Sequence, residues 1–118
     1  MSDKNQDYSV GNLLENVPLV RSDGDEVFET LISKEGVKIE RIISNGQSSP
    51  PDFWYDQDQE EWVFVLQGSA TLEMKNTDDS SRLIDLVAGS YVQIPAHQKH
   101  RVAKTDTTQQ TIWLALFF

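Results

Sequence analysis

A chain of 118 residues without a cysteine is the size of one domain, and it must hold its fold by packing alone, with no disulfides, thiolate catalysis or thiolate zinc site. Its hydrophobic fraction of 38% and charged fraction of 25% belong to a folded globular protein, while a net charge of −9 with no basic stripe disfavours nucleic acid and anionic membrane surfaces as partners. The opening residues lack the basic start and apolar run of a secretory signal, and no later run is long enough to span a bilayer, so a cytoplasmic location is expected.

Residues 1–15 are mostly polar, with Leu13 and Leu14 an adjacent apolar pair, and are expected to form a tail or short helical lead-in to a domain spanning 16–118. From there the pattern has period two, broken by turn residues. The segment "EVFETLIS" (26–33) follows the turn signal Ser22-Asp23-Gly24-Asp25 and is a strand candidate. In "VKIERII" the residues Val37, Ile39 and Ile43 share one face between Gly36 and Asn45-Gly46, which reads as a strand. Arg41 interrupts that face, either pointing inward toward an anionic ligand or lying in solvent at a bulge.

The aromatics Phe53, Trp54 and Tyr55 precede the acidic and amide run "YDQDQEE" (55–61). They are placed to line a pocket or to plug the end of a barrel. Next comes "EEWVFVLQGSATLEMKN", whose β-branched and aromatic run, Gln67-Gly68-Ser69 turn and alternating return read as a β-hairpin. Glu61, Val63 and Val65 share one face of it, which sets a carboxylate at the mouth of an apolar row.

After the loop "NTDDSS" come strand candidates "RLIDLV" (82–87), "SYVQIP" (90–95), "HRVAK" (100–104) and "TIWLALFF" (111–118). Many short strands without a long helix predict an all-β, antiparallel sandwich or barrel. The last strand is apolar on both faces and must be covered twice, either as a central strand between sheets or as an edge strand under a second subunit.

Glu61, six residues and Gly68, followed by Gly89, five residues, Pro95, one residue, His97, two residues and His100, resemble the two motifs of the cupin superfamily. The stretch 37–118, and more narrowly "RIISNGQSSPPDFWYDQDQEEWVFVLQG" with "IPAHQKHRV", is similar to small bacterial single-domain cupins. The resemblance implies a cupin jelly-roll β-barrel, a homodimer and a divalent metal such as iron, manganese, zinc or nickel at the barrel mouth. It would use open coordination positions for oxygenase or isomerase chemistry on a small-molecule ligand.

His100 and Glu61 match the family's ligand positions. The two usual first-motif histidines would fall at Tyr55 and Gln57, so a three-histidine site is absent and Gln57 enters as an oxygen ligand. His97 stands where the pattern prefers glycine and is a candidate replacement imidazole. Lys104 stands where the pattern has asparagine, on the strand face expected for His100 and Val102. Two readings stay open: a metal site of His100, His97, Glu61 and Gln57 with Glu61 as catalytic base, or a metal-free anion pocket of Trp54, Tyr55, Arg41 and Lys104.

Overall fold

The computed structural model describes residues 8–118, so residues 1–7 of the expected tail lie outside the described residues. Eight strands follow in order: β1 (Val27–Lys34), β2 (Val37–Ser44), β3 (Glu61–Gln67), β4 (Ser69–Lys75), β5 (Ser81–Val87), β6 (Tyr91–Ile94), β7 (His100–Thr105) and β8 (Thr111–Phe117). They form a five-stranded sheet in the order β1-β2-β8-β3-β6 and a three-stranded sheet in the order β5-β4-β7. Every pairing is antiparallel, and the two sheets make the all-β, antiparallel architecture that the patterning predicts. Around Leu13 and Leu14 the chain forms a single turn, closed by the Glu15 N–H donating to the Asn12 carbonyl at 3.1 Å.

The inner faces enclose one core of Val63, Val65, Ala70, Leu72, Leu86, Ile94, Trp113 and Ala115. Strand β8 lies between β2 and β3, so its two apolar faces are those of a central strand. Trp113 and Phe117 face the interior. On the outer face Ile112 pairs with Ile43, and both are buried together with Val20. Gln110 takes a hydrogen bond from the Val20 N–H at 2.6 Å, and Asn45 donates to the Val20 carbonyl at 2.7 Å, so the segment before β1 is what covers this face.

Arg41 belongs to the same outer cover. Its guanidinium donates to the carbonyls of Leu13, Glu15 and Asn16 and to Glu29 at 2.6 Å. The face carrying Val37, Ile39 and Ile43 therefore points away from the barrel interior, and Arg41 with it. The opposite face of β2, with Glu40 and Ile42, lines the interior.

The expected hairpin across Gly68 is corrected by the topology: β3 pairs with β6 and β8, and β4 with β5 and β7. Gly68 carries the chain from one sheet to the other. Its φ of +85° is a conformation that costs an L side chain energy, which is why glycine stands at this corner.

Candidate functional site

Between the sheets lies a cavity of about 550 Å³ including its open mouth. Its walls are mostly apolar, with Phe28 from β1, Ile42 from β2, Val63 from β3, Ile94 from β6, and Trp113 and Phe117 from β8. Its polar groups are Glu26, Glu40, Tyr55, Gln57, Glu61 and His100. A concave, apolar pocket with a few convergent polar groups is the general form of a small-molecule site.

Glu61 opens β3 and His100 opens β7, so each projects from a strand end into the mouth. The loop between β2 and β3 is tied to β7 by reciprocal backbone bonds between Tyr55 and His100, at 2.7 and 3.2 Å. This bridge sets the Tyr55 ring against the imidazole, with centroids 5.4 Å apart and planes 25° from parallel. Two residues further on, Gln57 enters the cavity and its carbonyl accepts the His97 N–H at 2.7 Å.

His100, Glu61 and Gln57 meet. His100 Nε2 lies 3.4 Å from Glu61 Oε1, the Gln57 amide donates to Glu61 Oε1 at 3.0 Å, and the amide nitrogen is 3.5 Å from His100 Nε2. His100 is 5% exposed and Glu61 9%. On the far side of the ring, Nδ1–H donates to the Gln98 carbonyl at 2.8 Å. That bond fixes Nδ1 as the protonated nitrogen and aims Nε2 at the carboxylate.

Burial pulls the His100 imidazole toward its neutral form, but the Glu61 carboxylate and the Gln98 carbonyl outweigh it and hold the ring above its ordinary value of 6.5. Burial also raises the Tyr55 phenol, and the nearby Glu26 and Glu61 carboxylates add to the effect. A histidine raised in the folded state contributes stability below its ordinary value and loses it as pH rises through the folded value. In EDTA-treated protein this contribution is expected to fade over the range in which pH rises from 6.5 through the raised folded value. Glu61→Gln leaves burial unopposed by the carboxylate and should reverse the sign of the His100 contribution. Thermal melts of the two proteins across that range check it, and parallel profiles would refute the coupling.

Four expected site residues lie elsewhere. His97 has a side chain 67% exposed, bonded to Asp56 at 2.8 Å, and stands outside the cavity lining. Its φ of +65° explains the family preference for glycine there: the position demands a left-handed backbone, and the turn that supplies it aims the imidazole outward. Lys104 is exposed because the register of β7 against β4 skips Ala103. That bulge reverses the alternation after Val102 and swings Lys104 away from the face of His100. Trp54 packs outside the cavity with Lys75 Nζ 5.1 Å from its ring centroid, and Arg41 serves the outer cover. Of the expected anion pocket only Tyr55 lines the cavity, and the anion reading loses both of its cations.

The sequence reading missed Glu26 and Glu40. The alternation of Lys38 and Glu40 opposite Val37, Ile39 and Ile43 carries a signal for Glu40; Glu26, just before β1, carries none. Among the described residues no group of three or more His, Cys, Asp or Glu side chains is gathered to hold a metal.

The chain matches the family described as Cupin domain over residues 40–117. A candidate mannose-6-phosphate isomerase from Ralstonia eutropha JMP134 is 47% identical, with 93% of this chain and 97% of that chain covered and a TM-score of 0.82. A cupin superfamily protein from Desulfitobacterium hafniense DCB-2 is 19% identical over 94% of this chain and 98% of that one, with a TM-score of 0.67. Hydroxypropylphosphonic acid epoxidase from S. wedmorenis is 16% identical over 79% of this chain and 50% of that one, with a TM-score of 0.66. These last two likenesses speak to the fold alone. No match is found among curated proteins. The matched span, the motif spacings and the two antiparallel sheets lead to one conclusion: the chain belongs to the cupin family.

Proposed function

We propose that this cupin binds a small organic molecule in the barrel cavity beside a divalent metal held by His100, Glu61 and Gln57. The observation that carries the reading is the triangle of their polar atoms, with edges of 3.0, 3.4 and 3.5 Å. Donors about 2.0–2.2 Å from one ion lie roughly 3–3.6 Å from each other, so the triangle matches one face of a coordination shell. A half-turn of the Gln57 amide turns its oxygen into the third donor, and one imidazole with two oxygens suits iron, manganese, zinc or nickel.

With three protein donors the ion keeps open positions, and it would supply polarisation of a substrate oxygen. The protein's own part is distinct. The Gln98 carbonyl orients the imidazole, Tyr55 stacks on it, and the apolar walls exclude water. Without the ion, His100 and Glu61 remain a buried pair able to hold and pass a proton at Nε2.

The name of the 47%-identical relative raises a sugar phosphate as substrate. This cavity gives that idea little support, because among the described residues no lysine or arginine lines it. Arg41 and Lys104 lie outside it, and a buried phosphate needs such partners.

Elemental analysis after loading with iron, manganese, zinc or nickel and desalting tests the metal. About one ion per chain is expected. It should be lost in His100→Ala, strongly reduced in Glu61→Gln and unchanged in His97→Ala. Failure to retain any of the four ions would overturn the metal and leave the His100–Glu61 pair as the chemical group of the cavity.

A further inference from the structure

The cavity carries an unbalanced charge. Three carboxylates line it, Glu26, Glu40 and Glu61, and among the described residues no lysine or arginine does. Two of the three have a neighbour of opposite or ionisable character. Glu40 lies 3.3 Å from Lys38 Nζ outside the lining, and Glu61 lies 3.4 Å from His100. Among the described residues Glu26 has only the hydroxyl of Ser44, a neutral donor that in turn accepts the Trp113 Nε1–H at 3.0 Å. Ser44 is fully buried, so the Trp113–Ser44–Glu26 chain holds the carboxyl in place without neutralising it.

A second feature lies beside Glu26. Phe28 lines the cavity yet is 53% exposed, leaving an aromatic face uncovered. Trp113, Tyr55 and Phe117 add further rings to the wall. Aromatic faces together with a carboxylate attract organic cations, because the negative ring faces add to the ionic term. Both Glu26 and Phe28 precede residue 40, where the match to the family begins, so the feature is built by this chain's own lead-in and first strand.

We infer that the cavity takes a small organic cation, an ammonium group on an apolar body, with Glu26 as its counter-charge and specificity-determining residue. The inference rests on the cavity being the binding site and adds the ligand class to that reading. Burial pushes the Glu26 carboxyl above its ordinary range in spite of the Ser44 bond, and an arriving ammonium offsets that penalty with its own charge. An anionic ligand would meet Glu26 and Glu40 with no lysine or arginine among the described lining residues to offset them.

Benzylamine, benzyl alcohol and benzoate share a ring and differ in charge, so they read the selectivity directly. Titration calorimetry on the full chain treated with EDTA should give benzylamine about tenfold tighter than benzyl alcohol, and benzoate weakest. Glu26→Gln should lower benzylamine affinity by about tenfold while leaving benzyl alcohol unchanged. The glutamine can keep the Ser44 contact and removes a desolvated charge, so its thermal midpoint is expected to equal or exceed that of the parent. Loss of binding would then not be loss of fold. Benzoate binding as tightly as benzylamine, a preference that survives in Glu26→Gln, or no binding of benzylamine would each overturn the inference. Because no metal is present, failure here is separate from failure to retain an ion.

Discussion

Alanine at position 68 is expected to cost the fold about 2–5 kcal/mol, as about 1–2 for a left-handed backbone under an L side chain plus about 1–3 for forced overpacking. A Cβ there would stand 2.5 Å from Thr111 Oγ1, 2.8 Å from Thr111 Cα and 3.0 Å from the Gln110 carbonyl oxygen. Two of these three neighbours are backbone, and Thr111 has little room to yield. It is fully buried, opens β8 and donates to the Ser69 carbonyl at 3.0 Å. Gly89 supplies the control, since its φ is +92° but nothing lies within 4 Å of the added atom. Gly89→Ala should therefore lose only the conformational part. Urea denaturation of the two variants reads the difference, and equal losses would refute the role of crowding at the corner.

Truncating Trp113 to alanine should cost about 3–5 kcal/mol, the usual range for removing a large buried aromatic. The residue is 3% exposed, packs in the core cluster, and forms part of the cavity wall. Trp113→Phe keeps most of that packing but deletes the N–H that reaches Ser44. Its cost should be smaller, about 1–2 kcal/mol for one lost buried hydrogen bond and some volume. Chemical denaturation gives both values. If the two variants lose the same stability, the indole nitrogen dominates and the packing account is wrong.

Much of the fold was legible because antiparallel strands buried on one face write their period into the sequence. Val63 and Val65 face the core as their alternation predicts, and the spacing from Glu61 placed Tyr55 and Gln57 at positions that do line the cavity. Where the reading failed, the deciding contact was remote in sequence. Val37, Ile39 and Ile43 looked like a core face, but the sequence alone did not reveal that Val20 and the carbonyls of Leu13, Glu15 and Asn16 cover the outside of β2. Gly68 marks a turn whether the next strand pairs with the last one or crosses to the other sheet, so the hairpin was indistinguishable from a corner. His97 and His100 look alike at the level of residue type, and the backbone φ of +65° at His97 is what separates them.

The bulge at Ala103 has a consequence for how such barrels change. With it, Lys104 is exposed and Thr105 is buried. Closing it by a slip of one in the pairing, with Ala103 opposite Thr71 and Lys104 opposite Ala70, would restore simple alternation beyond Val102 and exchange which side chains face in and out from there to the end of β7. A barrel can thus gain or lose an interior cation through a slip of one in strand pairing, with every side chain around it kept. Related chains that differ by such a slip would look nearly identical when compared residue by residue, yet would present opposite charge to whatever enters.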